Sequence, residues 1–169
     1  MIKWALIVLL SLVAISALAI AIGWLLLVAH VAKRHAEVPA PPDRVWATIT
    51  DIDAFPAWRP DVTRVERVAG DRVSWVEHGR NGRLTFVVER SDPPRTLVTR
   101  IADPDLPFGG TWTYEVAPVP RGSAVTITEH GEIYNPLFRF MSRFVFGYDS
   151  TMKEYLAALV ATGERGTGN

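Results

Sequence analysis

Hydrophobic and polar residues follow three different rhythms along the chain. From Trp4 to Ala29, 26 residues run without a charge, so a helix there is apolar on every side rather than along one stripe. From Val62 to Tyr134, runs rich in Val, Thr, Ile, Trp and Tyr are broken by clusters of Gly, Asn, Asp and Pro, the pattern of an antiparallel meander. The predicted strands are "VTRVERV", "RVSWVEH", "RLTFVVER", "TLVTRIA", "GTWTYEVA" and "AVTITEHGEIY". Asn135-Pro136 then supplies a helix cap followed by a proline suited to the first turn. Beyond it Leu137, Met141, Phe144, Tyr148, Met152, Tyr155 and Leu159 recur at spacings of three or four. That period predicts one long helix up to the breaker Gly163, with its stripe lying on the sheet. Gly147 interrupts it at a propensity cost of about 1 kcal/mol, which points to a bend or to a place where bulk would obstruct something.

Between the first two rhythms, "HAEVPAPPDRVWATITD" opens with a short extended piece and then meets Pro39, Pro41 and Pro42. These forbid a continuing strand but suit a first helical turn. Arg44 to Thr50 reads as a short helix. Asp53 is placed to cap a second one in "DAFPAWRPD", which Pro60 ends.

A helix over Trp4–Ala29 would be about 39 Å long, and about 20 apolar residues already cross a bilayer core. Trp4 and Trp24 would sit about 30 Å apart along it, the separation of the two aromatic belts of a membrane. Lys3 at one end and Lys33-Arg34 at the other close it with charge. A cleaved signal would have a shorter apolar region, and "LVAHVAK" offers no good small-x-small cleavage site, so a retained anchor is expected. Small residues at Ala17, Ala19, Ala21 and Gly23 can let two such helices approach closely. Basic residues nearly balance across the span, with a lean toward a cytoplasmic domain. The expected organisation is an anchor with its flanks over 1–35, a folded domain over 36–162 and a frayed tail over 163–169.

One extended piece, two short helices, six antiparallel strands and a long C-terminal helix form an order that resembles a known family. The residues that carry the resemblance are "VPAPPDRVWATITDIDAFPAWRPDV" at 38–62, "SDPPRTLVTR" at 91–100 and "FGGTWTYEVAPVPRGSAVTITEHGEI" leading into the last helix. Over residues 36 to about 162 the chain resembles the START-like superfamily (SRPBCC), in its polyketide cyclase/dehydrase and lipid-transport branch. The resemblance implies an α+β helix-grip fold, a curved antiparallel sheet around the long helix with a hydrophobic cavity between them. It implies a small apolar ligand such as a lipid, isoprenoid or polyketide. It supplies no universal catalytic motif and implies no cofactor, and fold alone names no reaction.

Period-two alternation assigns residues to that cavity. In the last strand Val125, Ile127, Glu129, Gly131 and Ile133 share the inner face, while His130 and Glu132 face water. Elsewhere the inner sets are Val73, Trp75 and Glu77, then Leu84, Phe86 and Val88, then Trp112, Tyr114 and Val116. With Met141, Phe144 and Tyr148 from the helical stripe, the ligand-binding set is Trp75, Glu77, Phe86, Trp112, Tyr114, Glu129, Met141, Phe144 and Tyr148. Glu129 and Tyr114 are the candidate catalytic pair, because burial in an apolar cavity raises a carboxyl pKa toward a range useful for proton transfer to a carbonyl compound. The loop "DPDLPFGG" is a candidate lid and Trp58 a candidate cavity closure; an ordinary loop and a plain core residue are the alternatives.

Composition removes other classes. Three of the 18 basic residues (Lys3, Lys33 and Arg34) and none of the 18 acidic ones precede residue 35, leaving 15 against 18, a net charge of −3. No basic stripe offers a nucleic-acid footprint. Cysteine is absent, so there is no disulfide framework. His130 and Glu132 would need further partners to hold a metal, and neither an HExxH motif nor a cysteine pair supplies them, so no metal site is expected. Three readings stay open: a membrane-anchored binding or transfer protein, a cyclase/dehydratase-type enzyme, and a non-catalytic partner domain of a membrane complex.

Overall fold

The computed structural model describes residues 2–166. Helix α1 (Ile2–Leu25) is followed by β1 (Ala29–Val38), α2 (Pro42–Thr50), a 3-10 turn (Ile52–Ala54), α3 (Phe55–Trp58), and six strands. These are β2 (Val62–Val68), β3 (Ser74–Gly79), β4 (Gly82–Asp92), β5 (Thr96–Ile101), β6 (Phe108–Val119) and β7 (Gly122–Ile133). Helix α4 (Pro136–Met141), a π turn (Ser142–Phe146) and α5 (Ser150–Gly166) complete the chain. This is the α+β helix-grip architecture.

The strands form one antiparallel sheet in the order β1-β7-β6-β5-β4-β3-β2. The alternation in β7 is as expected, with Ser123, Val125, Ile127, Gly131 and Ile133 buried and His130 and Glu132 exposed. Val73 lies outside β3 and is exposed, so it leaves its expected inner set. On the inner face Val125, Ile127, Leu97 and Val116 meet Met152, Tyr155, Leu156 and Leu159 of α5, with Val45 and Ile49 of α2 closing the core. Met152 and Leu159 are almost fully buried, and each such side chain contributes about 1.5–3 kcal/mol of transfer free energy. The ion pair Arg34–Asp149 ties the residue just before α5 to β1 at one edge, and Arg80–Glu154 ties α5 to the β3–β4 turn.

The C-terminal helix departs from the reading of one continuous rod. Asn135 caps α4 as predicted, its side chain accepting from Leu137 N (2.9 Å) and Phe138 N (3.2 Å). The rod then breaks at the π turn and at Gly147, whose φ of +77° only glycine adopts without strain. Spacing alone could not show this, because Phe144 falls in step with the stripe yet is exposed, as are its neighbours Val145 and Phe146. At the other end α5 continues through Gly163 to Gly166. A Cβ at Gly163 would lie 2.8 Å from Val38 Cγ1, so glycine is used there for close approach to β1 rather than as a stop. The remaining expected tail, 167–169, lies outside the described residues.

The N-terminal boundaries also shift. α1 ends at Leu25, four residues before the apolar run does, and Ala29 already pairs with Glu132 in a ten-residue β1. Asp53 does not cap α3; it sits in the 3-10 turn and pairs with Arg67. α1 has a mean hydropathy of 2.9 over its most apolar window and is long and apolar enough to cross a membrane. Two of its four small residues serve a contact within the chain: Ala19 and Gly23, one turn apart, are its buried positions, and α1 packs on α4, while Ala17 and Ala21 are exposed. A Cβ at Gly23 would fall 1.9 Å from the Pro136 carbonyl oxygen. Arg139 of α4, itself buried, donates to Leu26 O at 2.8 Å and lies over the Trp24 ring at 5.8 Å.

Candidate functional site: an apolar cavity with a buried charge cluster

A cavity of about 510 Å³ opens between the sheet, α3, the start of α5 and the α4–π-turn segment, a size suited to one small organic molecule. The apolar part of its wall comes from alternate residues on the strands, notably Leu84, Phe86, Leu97 and Trp112. Of the predicted set, Trp75, Glu77, Phe86, Trp112, Tyr114, Glu129, Met141 and Tyr148 all line it. Phe144 does not; it sits on the outer side of the π turn with its ring 5.0 Å from that of Phe140. Trp58 does not line the cavity; it is half-buried and packs edge-on against Tyr155 at the border of the core. The candidate lid contributes Phe108, but its Pro107 carbonyl accepts from Tyr134 N at 2.8 Å, which stitches that loop to the entry of α4.

One part of the cavity wall is built around Arg59. Because α3 stops at Trp58, Arg59 turns inward between Phe55 and Tyr155, with its guanidinium 5.0 and 5.2 Å from their ring centres. Nη1 donates to Glu77 Oε1 at 2.8 Å and Nη2 to Asp61 Oδ2 at 2.7 Å. Trp75 Nε1 donates to the same Glu77 oxygen at 2.9 Å. Burial by itself would lower the Arg59 pKa, but the charge of Glu77 and the bond to Asp61 outweigh it and hold the guanidinium above its ordinary value. One cation against two carboxylates leaves the cluster with a net negative charge.

Beside it stand two buried phenols. Tyr114 is within hydrogen-bonding reach of Thr99 and Tyr155. Burial pushes both phenols above the usual tyrosine range; for Tyr155, coupling to Tyr114 adds to the rise.

Glu129 occupies a separate position. Glu129 Oε1 is 3.4 Å from His30 Nε2, and the His30 ring stacks on Tyr148 with centroids 4.1 Å apart. Gly131 makes this arrangement possible: it pairs with His30 across the β1–β7 ladder, and a Cβ there would lie 2.3 Å from His30 Cε1. His30 Nδ1 is buried without a hydrogen-bond partner. Among the described residues no group of three or more His, Asp or Glu side chains is gathered to hold a metal ion.

Arg59, Asp61 and His30 are residues of this site that pattern reading does not single out; Tyr155 is placed only in the helical stripe. A buried Glu77 demands a counter-charge, which was the available signal for Arg59. His30 sits just past the apolar run, where strand alternation is masked by the preceding hydrophobic residues.

The chain belongs to the polyketide cyclase/dehydrase and lipid transport family, whose model matches residues 29–164. No curated protein sequence matches the chain. Among solved structures it is similar to the Zhui aromatase/cyclase of Streptomyces sp. R1128, at 15% identity and a TM-score of 0.65 over 81% of this chain and 94% of that one. It is similar to the di-domain ARO/CYC StfQ of the steffimycin biosynthetic pathway at 15% identity and a TM-score of 0.67, covering 84% of this chain and 53%, about half, of that protein. A START superfamily protein from Mycobacterium smegmatis gives a TM-score of 0.64 at 15% identity, over 80% of this chain and 98% of that one. At these identities the likeness is one of fold.

Proposed function

We propose that the chain is a membrane-anchored binding protein for a small apolar molecule that carries a hydroxyl or amine at one end. The observation that carries this reading is the cavity of about 510 Å³ with its apolar walls and the Arg59–Glu77–Asp61 cluster at one end. Both bonds to Glu77 fall on Oε1, leaving Oε2 to accept from a ligand. A carboxylate or phosphate would meet the cluster's excess negative charge, a repulsion on the order of 4 kcal/mol for one uncompensated charge at 4 Å in protein surroundings.

The anchor reading rests on α1 and on how it is held. α1 is too exposed to be a core helix. A cleaved segment would remove the Leu26 carbonyl from buried Arg139 and uncover the Gly23–Pro136 contact, so these contacts support retention. Tethering keeps the cavity close to the bilayer, where an apolar ligand is concentrated.

The test is mass spectrometry of small molecules extracted from the full chain purified out of its membranes. One apolar class with a donor end is expected, depleted by Ile101→Trp, which fills the cavity. No species above the level of the filled variant would exclude the reading.

The Glu129–His30 pair favours a second reading, a cyclase/dehydratase-type enzyme. His30 next to the carboxylate provides a proton relay from the cavity wall, and Tyr114 stands in the same cavity to polarise a carbonyl. On this reading Glu129→Gln abolishes turnover while leaving ligand retention intact. On the binding reading there is no turnover to lose.

A further inference from the structure

The α4–π-turn segment presents an apolar surface that the folded domain leaves uncovered. Phe138, Phe144, Val145 and Phe146 are 46%, 60%, 58% and 64% exposed, and Leu137 adds to them. Arg139 and Arg143 are the charged residues between Glu132 and Asp149, so the segment is aromatic and basic with no acid in it. Contiguous exposed patches of this kind mark a surface with an occupant.

The position of the segment identifies that occupant. α4 is packed on the last turns of α1, with Pro136 against Gly23 and Arg139 over Trp24. If α1 spans a bilayer, Trp24 marks the interfacial belt. Ala19, the other buried residue of α1, lies about 6 Å deeper along the helix axis than Gly23. Everything packed on this face therefore lies at headgroup depth or slightly below, and aromatic and basic side chains are suited to that depth. The exposed apolar side chains lie on a segment packed beside α1, whose own apolar side chains are exposed along most of its length.

The same segment also walls the cavity. Phe138, Met141, Ser142, Phe146, Gly147 and Tyr148 line it, and Phe138 and Phe146 also belong to the exposed patch, so patch and ligand space meet along one short stretch. We infer that residues 136–147 insert into the bilayer interface and form a lipid-facing gate, through which the ligand passes between bilayer and cavity without crossing water. Gly147, at φ +77°, separates the gate from α5 and lets the two take different directions. The inference rests on the anchor reading above and adds to it the depth of the gate and the route of the ligand.

The absence of cysteine allows the test to be made on the full chain. Single cysteines replace Val145 in the gate, Leu12 in mid-α1 and Gly70 in the β2–β3 turn, where a side chain meets nothing within 4 Å. Each is labelled with an environment-sensitive fluorophore and reconstituted into phosphatidylcholine vesicles carrying nitroxide lipids. The expected result is loss of most of the Val145 signal to a nitroxide near the headgroups, loss of the Leu12 signal to one at the acyl-chain ends, and no loss at Gly70. Quenching at Leu12 but not at Val145 overturns the gate and leaves the anchor standing. A blue-shifted but unquenched Val145 label also overturns it, since a protein surface, a second copy included, then covers the patch. No quenching at Leu12 removes the anchor and the gate together.

Discussion

Arg59 Nη1 lies 2.8 Å from Glu77 Oε1, and both side chains are about nine-tenths buried beside the cavity. A buried pair of this kind contributes little compared with a well-packed apolar pair, yet removing one partner strands the other charge in a dry site. Its persistence at the end of an apolar cavity is the reason a polar ligand group is assigned there.

Replacing Arg59 by Met should destabilise the protein by about 3–5 kcal/mol, because Glu77 and Asp61 are left facing each other unpaired. Adding Glu77→Gln to Arg59→Met should recover part of that loss. Chemical denaturation of the two variants checks this; a double variant less stable than Arg59→Met would break the assignment.

High pH should unfold the protein through its buried phenols. The folded pKa values of Tyr114 and Tyr155 lie above the ordinary value of 10.0, chiefly through burial. Above about pH 10 the unfolded chain releases these protons while the folded one retains them, so stability is intact below pH 10 and falls as pH rises beyond it. Phenolate absorbance should show these two of the four tyrosines ionising together with the loss of circular dichroism. Ionisation of all four while the fold is retained would contradict it.

Gly131→Ala should cost about 1–3 kcal/mol, as overpacking does, because the new methyl takes the place of the His30 ring. Neighbouring residues in contact couple non-additively, so the same substitution in a His30→Ala background should cost less. A double-mutant cycle of thermal melts decides it; equal costs in both backgrounds would mean that Gly131 is not making room for His30.

Much of the architecture was legible because β-strand alternation and turn residues are local signals. Val125, Ile127, Glu129, Gly131 and Ile133 fell on the predicted face. What was illegible depended on direction and on distant partners. Phe144 keeps the helical spacing but faces outward, since it lies in the π turn, where the 3.6-residue register is lost. Ala19 and Gly23 read as a helix–helix motif, and their partner is α4, over a hundred residues later. Arg59 looks like a loop cation flanked by prolines until the sheet brings Glu77 to it.

On the binding reading the cavity holds an apolar molecule through a donor or cationic end. Calorimetric titration of the reconstituted full chain with 1-naphthylethylamine and with 1-naphthylacetate tests it directly, because the two share an aromatic body and differ in the charge at one end. Saturable one-to-one binding of the amine is expected, lost in Ile101→Trp, with carboxylate binding at least about tenfold weaker, or roughly 1.4 kcal/mol. Equal or tighter binding of the carboxylate, or no saturable binding of either, would contradict it.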